Sequence, residues 1–266
     1  ATTVDLDTIT FHHADDRQVA VAQGPIETDE IGSRQATVLI SPGTSASLRM
    51  PDGSLVDAPT LTLRLTEYTV GEEGPARMPA PLPPTSGYTY AVEISADEAL
   101  EVGAKGVQLD APVSLFVDNY RGMPVGTVLP VASYDRDRAI WVPDDDALVI
   151  AILEVASGTA EIDMDGDGLP ETDGELEAAG LDLETRATLA STYEAGAELW
   201  FSRRTHLSSV DCNAPFTAEL PYCEPLKCSP SDPQPTAEHE IPDGCTQSGS
   251  VIECENQTLR EDIPAH

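Results

Sequence analysis

His206, Leu207 and Ser208 stand in a row a few residues beyond the apolar run Leu199-Trp200-Phe201. A serine hydroxyl can attack the carbonyl of the residue before it, moving the acyl group from nitrogen to oxygen and leaving an ester that water hydrolyses. Such a step needs a base near the hydroxyl, a distorted peptide and a donor for the oxyanion. Ser208 is the candidate nucleophile, the Leu207 carbonyl is the group attacked, and His206 is the candidate base. In a flat strand the side chains of 206 and 208 share a face about 7 Å apart, so proton transfer between them requires a kink. His206 is also the only histidine between His13 and His239. The alternative reading of the same residues is a structural His/Ser pair at a strand end.

A second cluster is built from carboxylates. Asp163-Met164-Asp165-Gly166-Asp167-Gly168 places acids at positions 1, 3 and 5 of a tight turn with glycine sixth, a pattern that converges oxygen ligands on one Ca2+. The Leu169 carbonyl would supply the seventh-position ligand. Position 12 is Gly174, so the missing bidentate acid would come from Glu171, Asp173 or Glu175. The expected site is a structural, extracellular Ca2+ site rather than a sensor; a solvated acidic turn is the alternative.

Weaker signals surround these two. His12-His13 beside Asp15-Asp16 reads as a surface pair, since adjacent side chains on a strand point to opposite faces. Trp141 and Trp200 read as core, and Asp144-Asp145-Asp146 as an acidic hairpin tip. A nucleophile elbow, P-loop, dinucleotide fingerprint and HExxH zinc motif are all missing from the sequence, so no trans-acting enzyme activity is expected.

The elements that must position these groups are mostly strands. Short β-branched runs separated by turn residues predict a mainly β fold, a β-sandwich with one or two short helices. Strands are expected at 3–12, 18–22, 36–41, 46–50, 61–70, 88–94, 107–109, 113–117, 139–142, 147–155 and 198–206, with a bulge near Thr66. Ala147 to Leu153 is continuously apolar, as a strand covered on both faces would be; a short helix has the same signature. Ser95 reads as the cap of a single helical turn, Asp182 to Tyr193 as a helix, and Glu175 to Ala179 as a helix leaving the acidic loop. Residues 71–87 carry five prolines and read as an extended crossing.

Composition narrows the partners. The chain holds 14 Lys plus Arg against 47 Asp plus Glu, a net charge of −33. Twelve scattered arginines and two lysines, Lys105 and Lys227, form no basic patch, so nucleic acid is not an expected partner. The longest apolar run falls far short of the ~20 residues that cross a bilayer, and no membrane insertion is expected. The start ATTVDLD lacks a signal-peptide pattern and reads as a mature or excised fragment. Five cysteines point to an oxidising compartment, with reduced thiols as the alternative. Cys223, Cys228 and Cys245 lie within a proline-rich stretch that Cys212 and Cys254 flank.

Several segments together resemble one family. GYTYAVEISADEA (87–99), PVSLFVDNYRGMPVGTVLPVASYDRDRAIWVP (112–143), THLSSVDCN (205–213) and GSVIECENQTLREDIP (249–264) are similar to the region upstream of the β-shell in bacterial RHS (YD-repeat) surface proteins. The resemblance implies a ZU-five/GAIN-like β-sandwich with a Pro/Cys-rich C-terminal extension. In its terms, residues 1–35 are N-terminal strands or a lead-in and 36–211 the sandwich with its calcium loop. Residues 212–250 are then a linker, and 251–266 begin the RHS-type shell. It further implies a secreted or cell-surface protein whose partners are the rest of the parent chain and another surface protein. GAIN and ZU-five domains cut themselves at His-Leu/Phe-Ser/Thr, and His206-Leu207-Ser208 matches that pattern. The implied function is therefore self-cleavage between Leu207 and Ser208 with the fragments staying associated. The alternative is a non-cleaving, calcium-stabilised structural or adhesion module.

Overall fold

The computed structural model describes residues 9–12, 18–70, 75–80 and 89–213. Fifteen strands, three α-helices and a one-turn 3-10 helix at Pro75–Arg77 follow one another there. The first strands are β1 (Ile9–His12), β2 (Ala20–Gln23), β3 (Glu27–Thr28), β4 (Ser33–Arg34), β5 (Ala36–Ile40), β6 (Ala46–Arg49), β7 (Leu55–Asp57), β8 (Thr60–Glu67) and β9 (Tyr90–Ala96). Then come α1 (Asp97–Glu101), β10 (Gly106–Asp118), β11 (Val128–Asp135), β12 (Ile140–Ala156) and β13 (Thr159–Asp163). The last elements are α2 (Asp173–Ala179), α3 (Leu183–Thr192), β14 (Glu198–Leu207) and β15 (Ser209–Cys212).

Thirteen strands form one antiparallel sheet along the path β1-β8-β9-β15-β11-β12-β14-β10-β5-β2; β13 joins at β12, β6 at β10 and β7 at β6. The mainly β fold expected from the short β-branched runs is what forms. The path curls over on itself, since β2 at one end lies against β1 and β8 at the other. At the close approach, Gly24 leaves only 3.2 Å between where its Cβ would sit and Leu65 Cβ. Inside the curl, Val38, Leu65, Val92, Leu115, Val149, Trp200 and Val210 make one buried core.

A second core explains the unalternating run. On β12, Val149 faces the inner core while Ile150 and Ile152 face an outer one, where Leu176, Leu181 and Leu189 from the α2–α3 region cover them. β5, β10 and β14 share this arrangement, with Leu39, Phe116 and Leu199 turned outward. Apolar side chains are needed on both faces, so the period-2 signal vanishes.

Several expectations are corrected. Asp144-Asp145-Asp146 is not a hairpin tip but lies within β12, where the four residues Asp144 to Ala147 oppose the three from Val131 to Leu129. One extra residue makes a bulge, and bulges accept polar, turn-like residues. The separate expectations at 107–109 and 113–117 are one strand, β10, interrupted by a register shift between Gln108 and Val113. No shift occurs near Thr66: β8 stays in register with β9 until it ends at Glu67. Ser95 belongs to β9 and caps nothing; the residue before α1 is Ala96, whose side chain has no oxygen to offer. By contrast, Asp182 accepts from the Thr185 N–H at the start of α3, and Thr172 forms a reciprocal capping box with Glu175 on α2. His13, the segment 81–88 and the cysteines at 223, 228, 245 and 254 lie outside the described residues.

Candidate functional site

Ser208 is the single residue between β14 and β15. β14 is laddered to β10 and β12, whereas β15 is laddered to β9 and β11. The chain therefore changes partners at the tripeptide, with Leu207 the last residue of one ladder and Ser209 the first of the next. The Ser208 carbonyl accepts the Ile94 N–H at 3.1 Å, which ties the corner to β9. Leu207 and Ser208 are buried, and the Ser208 hydroxyl lies 3.2 Å from the Ser209 carbonyl, to which it donates.

His206 reaches the corner from the rim of an open cavity of about 500 Å3, lined among others by Arg49, Lys105, Gln108, Asp137, Asp144 and Ser208. The β10 register shift at Gln108, the Cα partner of His206, borders this space. The imidazole is 40% exposed, and its Nε2 stands 3.9 Å from Asp144 Oδ2. Burial depresses its pKa below the ordinary imidazole value; Asp144 opposes this, while Arg204 and Arg49 add to the depression. His206 is therefore neutral at pH 7 and able to accept a proton. Cavity and backbone bring His206 and Ser208 to one place, but among the described residues no hydrogen bond joins them.

Groups that the sequence did not mark as part of a site hold the neighbourhood together. Asp144 Oδ2 accepts the Ser133 hydroxyl and lies 2.7 Å from Nη1 of the fully buried Arg204, whose Nη2 donates to the Asp145 carbonyl at 2.8 Å. On the other side of the corner, the Ser209 hydroxyl donates to Glu93, which also accepts from Tyr68 and Arg136. Asp211, on β15, is wholly buried; Oδ2 accepts from Asn213 at 2.7 Å, while Oδ1 has no hydrogen-bond partner. Burial pushes its pKa up to about 7 against the Asn213 bond. No spacing rule links 93, 133, 144, 204 and 211, because Asp144 meets Arg204 and Glu93 meets Ser209 only across strands distant in sequence.

The acidic loop is more compact. Ligand atoms of Asp163, Asp165 and Glu171 lie within 4.8 Å of one another, a cluster able to hold a metal ion. Asp163 is buried at the end of β13; its Oδ1 accepts the N–H groups of Asp165 and Gly166, and its Oδ2 that of Gly168. Glu171 Oε1 accepts the Met164 N–H at 2.6 Å and Oε2 is buried without a partner. Burial raises the Glu171 pKa, and the charges of Asp163 and Asp165 raise it further. Gly166 has φ of +82°, and a Cβ there would fall 2.6 Å from the Val125 carbonyl; at Gly126 it would fall 2.7 Å from the Asp165 carbonyl. The loop is thus pressed backbone to backbone against the turn that precedes β11. The other expected carboxylates, Asp167 and Asp173, fall outside the cluster. Asp167 Oδ1 bonds the Leu169 N–H, Leu169 is exposed, and Asp173 opens α2 with its carboxylate 2.5 Å from Arg186.

Protein-family models, curated proteins and solved structures were compared with the chain, and none matches. Function must therefore be argued from the two sites themselves. Among the described residues no helix is long and apolar enough to cross a membrane. Cys212 is the one cysteine described; its thiol is free and buried, and burial pushes its pKa up to about 12.

Proposed function

We propose that the chain is a β-sandwich module of ZU-five/GAIN type from an RHS-repeat surface protein, and that it cuts itself between Leu207 and Ser208. The observation that carries this reading is the corner: the expected scissile peptide lies at the junction of two ladders with a neutral histidine beside it. A peptide held at both ends by different strands can be forced out of extended geometry, as an N-to-O shift requires. His206 takes the Ser208 hydroxyl proton and the oxygen adds to the Leu207 carbonyl. The C–N bond then breaks as the Ser208 nitrogen takes a proton, and water entering from the cavity hydrolyses the ester. β15, paired on both edges and buried throughout, would keep the second fragment in place.

A denaturing gel tests the reading. Wild-type protein is expected to give two bands of about four-fifths and one-fifth of the mass, with Ser208 at the new N-terminus by mass spectrometry, while Ser208→Ala gives one. A single full-length band for both would overturn it. Under native conditions the two pieces should elute together.

Ca2+ is the ion proposed for Asp163, Asp165 and Glu171, because the donors are all hard oxygens on a loop with glycine at the turn. Its role would be structural, binding the loop to the β11 turn. An extracellular location is proposed with it, since Ca2+ loops of this kind are stable where that ion is plentiful.

A further inference from the structure

One hydroxyl and two cationic or titratable side chains surround one carboxylate oxygen beside the corner. Asp144 Oδ2 accepts the Ser133 hydroxyl from β11; Nη1 of Arg204 on β14 lies 2.7 Å from it as a charge contact, and His206 Nε2 on the same strand stands at 3.9 Å. Its other oxygen accepts the Asp145 N–H at 2.9 Å. The Arg204 side chain is fully buried, so the carboxylate is held from within the protein rather than by mobile surface groups. Resting on the self-cleavage reading, we propose that Asp144 is the positioning residue of His206, fixing the imidazole at the cavity and favouring the tautomer that leaves Nδ1 open to the Ser208 proton.

The chemistry follows from which nitrogen faces the acid. A carboxylate opposite Nε2 favours the tautomer with its proton there, so the free lone pair sits on Nδ1. When Nδ1 takes the hydroxyl proton, the imidazolium that forms is balanced by Asp144. The other charges around His206 are already engaged. Arg49 of β6 and Lys105 both pair with Asp137, Arg136 pairs with Glu93, and Asp135 accepts the N–H groups of Asp137 and Arg138 in its own turn. Asp144 is thus the carboxylate at ion-pair distance from the imidazole among the described residues. Burial works against its charge, but Arg204, the Ser133 hydroxyl and the Asp145 N–H prevail and hold it ionised below the ordinary carboxylate range. An anion at neutral pH is what the role needs.

The test is the pH profile of cleavage. Asp144→Asn should slow cleavage at pH 7 about tenfold or more, and Asp144→Glu should recover part of the rate. Removing the anion takes away a stabiliser of the imidazolium, so the acid limb of the profile should move to lower pH in Asp144→Asn. A merely structural aspartate would change the melting temperature and leave that limb in place. Should Asp144→Asn fail to fold, the uncleaved Ser208→Ala protein provides the measurement: the Asp144 carboxyl carbon shift should inflect at the pH where His206 titrates. Wild-type cleavage with an unchanged rate and profile in Asp144→Asn, or no shared inflection, would overturn the role of Asp144 alone. Wild-type protein that never cleaves would overturn the cleavage reading as well.

Discussion

The acidic loop and the strand corner place their polar groups by opposite means. In the loop, Asp163, Asp165 and Glu171 come from nine consecutive residues, and most of the hydrogen bonds that shape them run to backbone N–H groups a few residues away. At the corner, Asp144 meets Arg204 across 60 residues of chain, and Glu93 meets Ser209 across 116. Local geometry builds the first, and only a finished sheet builds the second. The loop should accordingly fail through its backbone, and the corner through its buried charges.

The largest expected effect is on the loop. Gly166→Ala puts a side chain at positive φ and presses it into the Val125 carbonyl. Neither backbone can yield easily, so unfolding free energy should fall by about 3 kcal/mol or more in a denaturant titration. A loss under about 1 kcal/mol would mean that the loop and the β11 turn are not locked together.

Asp211, three residues past Ser208, should give the corner a pH signature. Its folded pKa of about 7 lies above the unfolded carboxylate value, so the native state holds the proton more tightly. Stability from this group is complete below the unfolded value and is lost as pH rises to about 7. Between pH 5 and 8 wild-type protein should therefore lose about 2 to 3 kcal/mol relative to Asp211→Asn, which has no proton to give up. Parallel stability curves for the two proteins would remove the buried carboxyl from the account of the corner.

Calcium should have the smallest effect and confine it to the loop. At tenfold excess over Kd, binding adds about 1.4 kcal/mol, read as a raised melting temperature that chelator reverses and Glu171→Gln weakens. Low pH should weaken it too, because Glu171 begins from a raised pKa and must be ionised to bind. An equal melting temperature with calcium and with chelator would leave the cluster as an acidic turn.

Legibility in the sequence follows the same division. The acidic loop was readable because Gly166 and the alternating aspartates are a local signature, and α2 and α3 because Asp182 and the Glu175 to Ala179 stretch mark them; α2 begins two residues earlier, at Asp173, behind its Thr172 cap. β14 and the Ala147 to Leu153 strand were readable from apolar content. β11 and β15 were not, since Pro130 interrupts one and Ser209, Asp211 and Cys212 give the other no β-branched run. Both are held by the ladders on either side, which outweigh intrinsic preference. The Asp144 triplet misled for the same reason: its turn-like composition satisfies a bulge whose partner strand comes from elsewhere.

By itself the sequence determined the mainly β class, the acidic surface, the turn that gathers Asp163 and Asp165, and the identity of the His206-Leu207-Ser208 tripeptide. These depend on side-chain type and short spacing, which operate within a few residues. Tertiary structure alone decided that Ser208 lies between two ladders, that His206 looks into a cavity toward Asp144, and that Asp211 is shut away from water. Strand order and register set each of those, and they are fixed by burial of two cores at once rather than by any neighbouring residues.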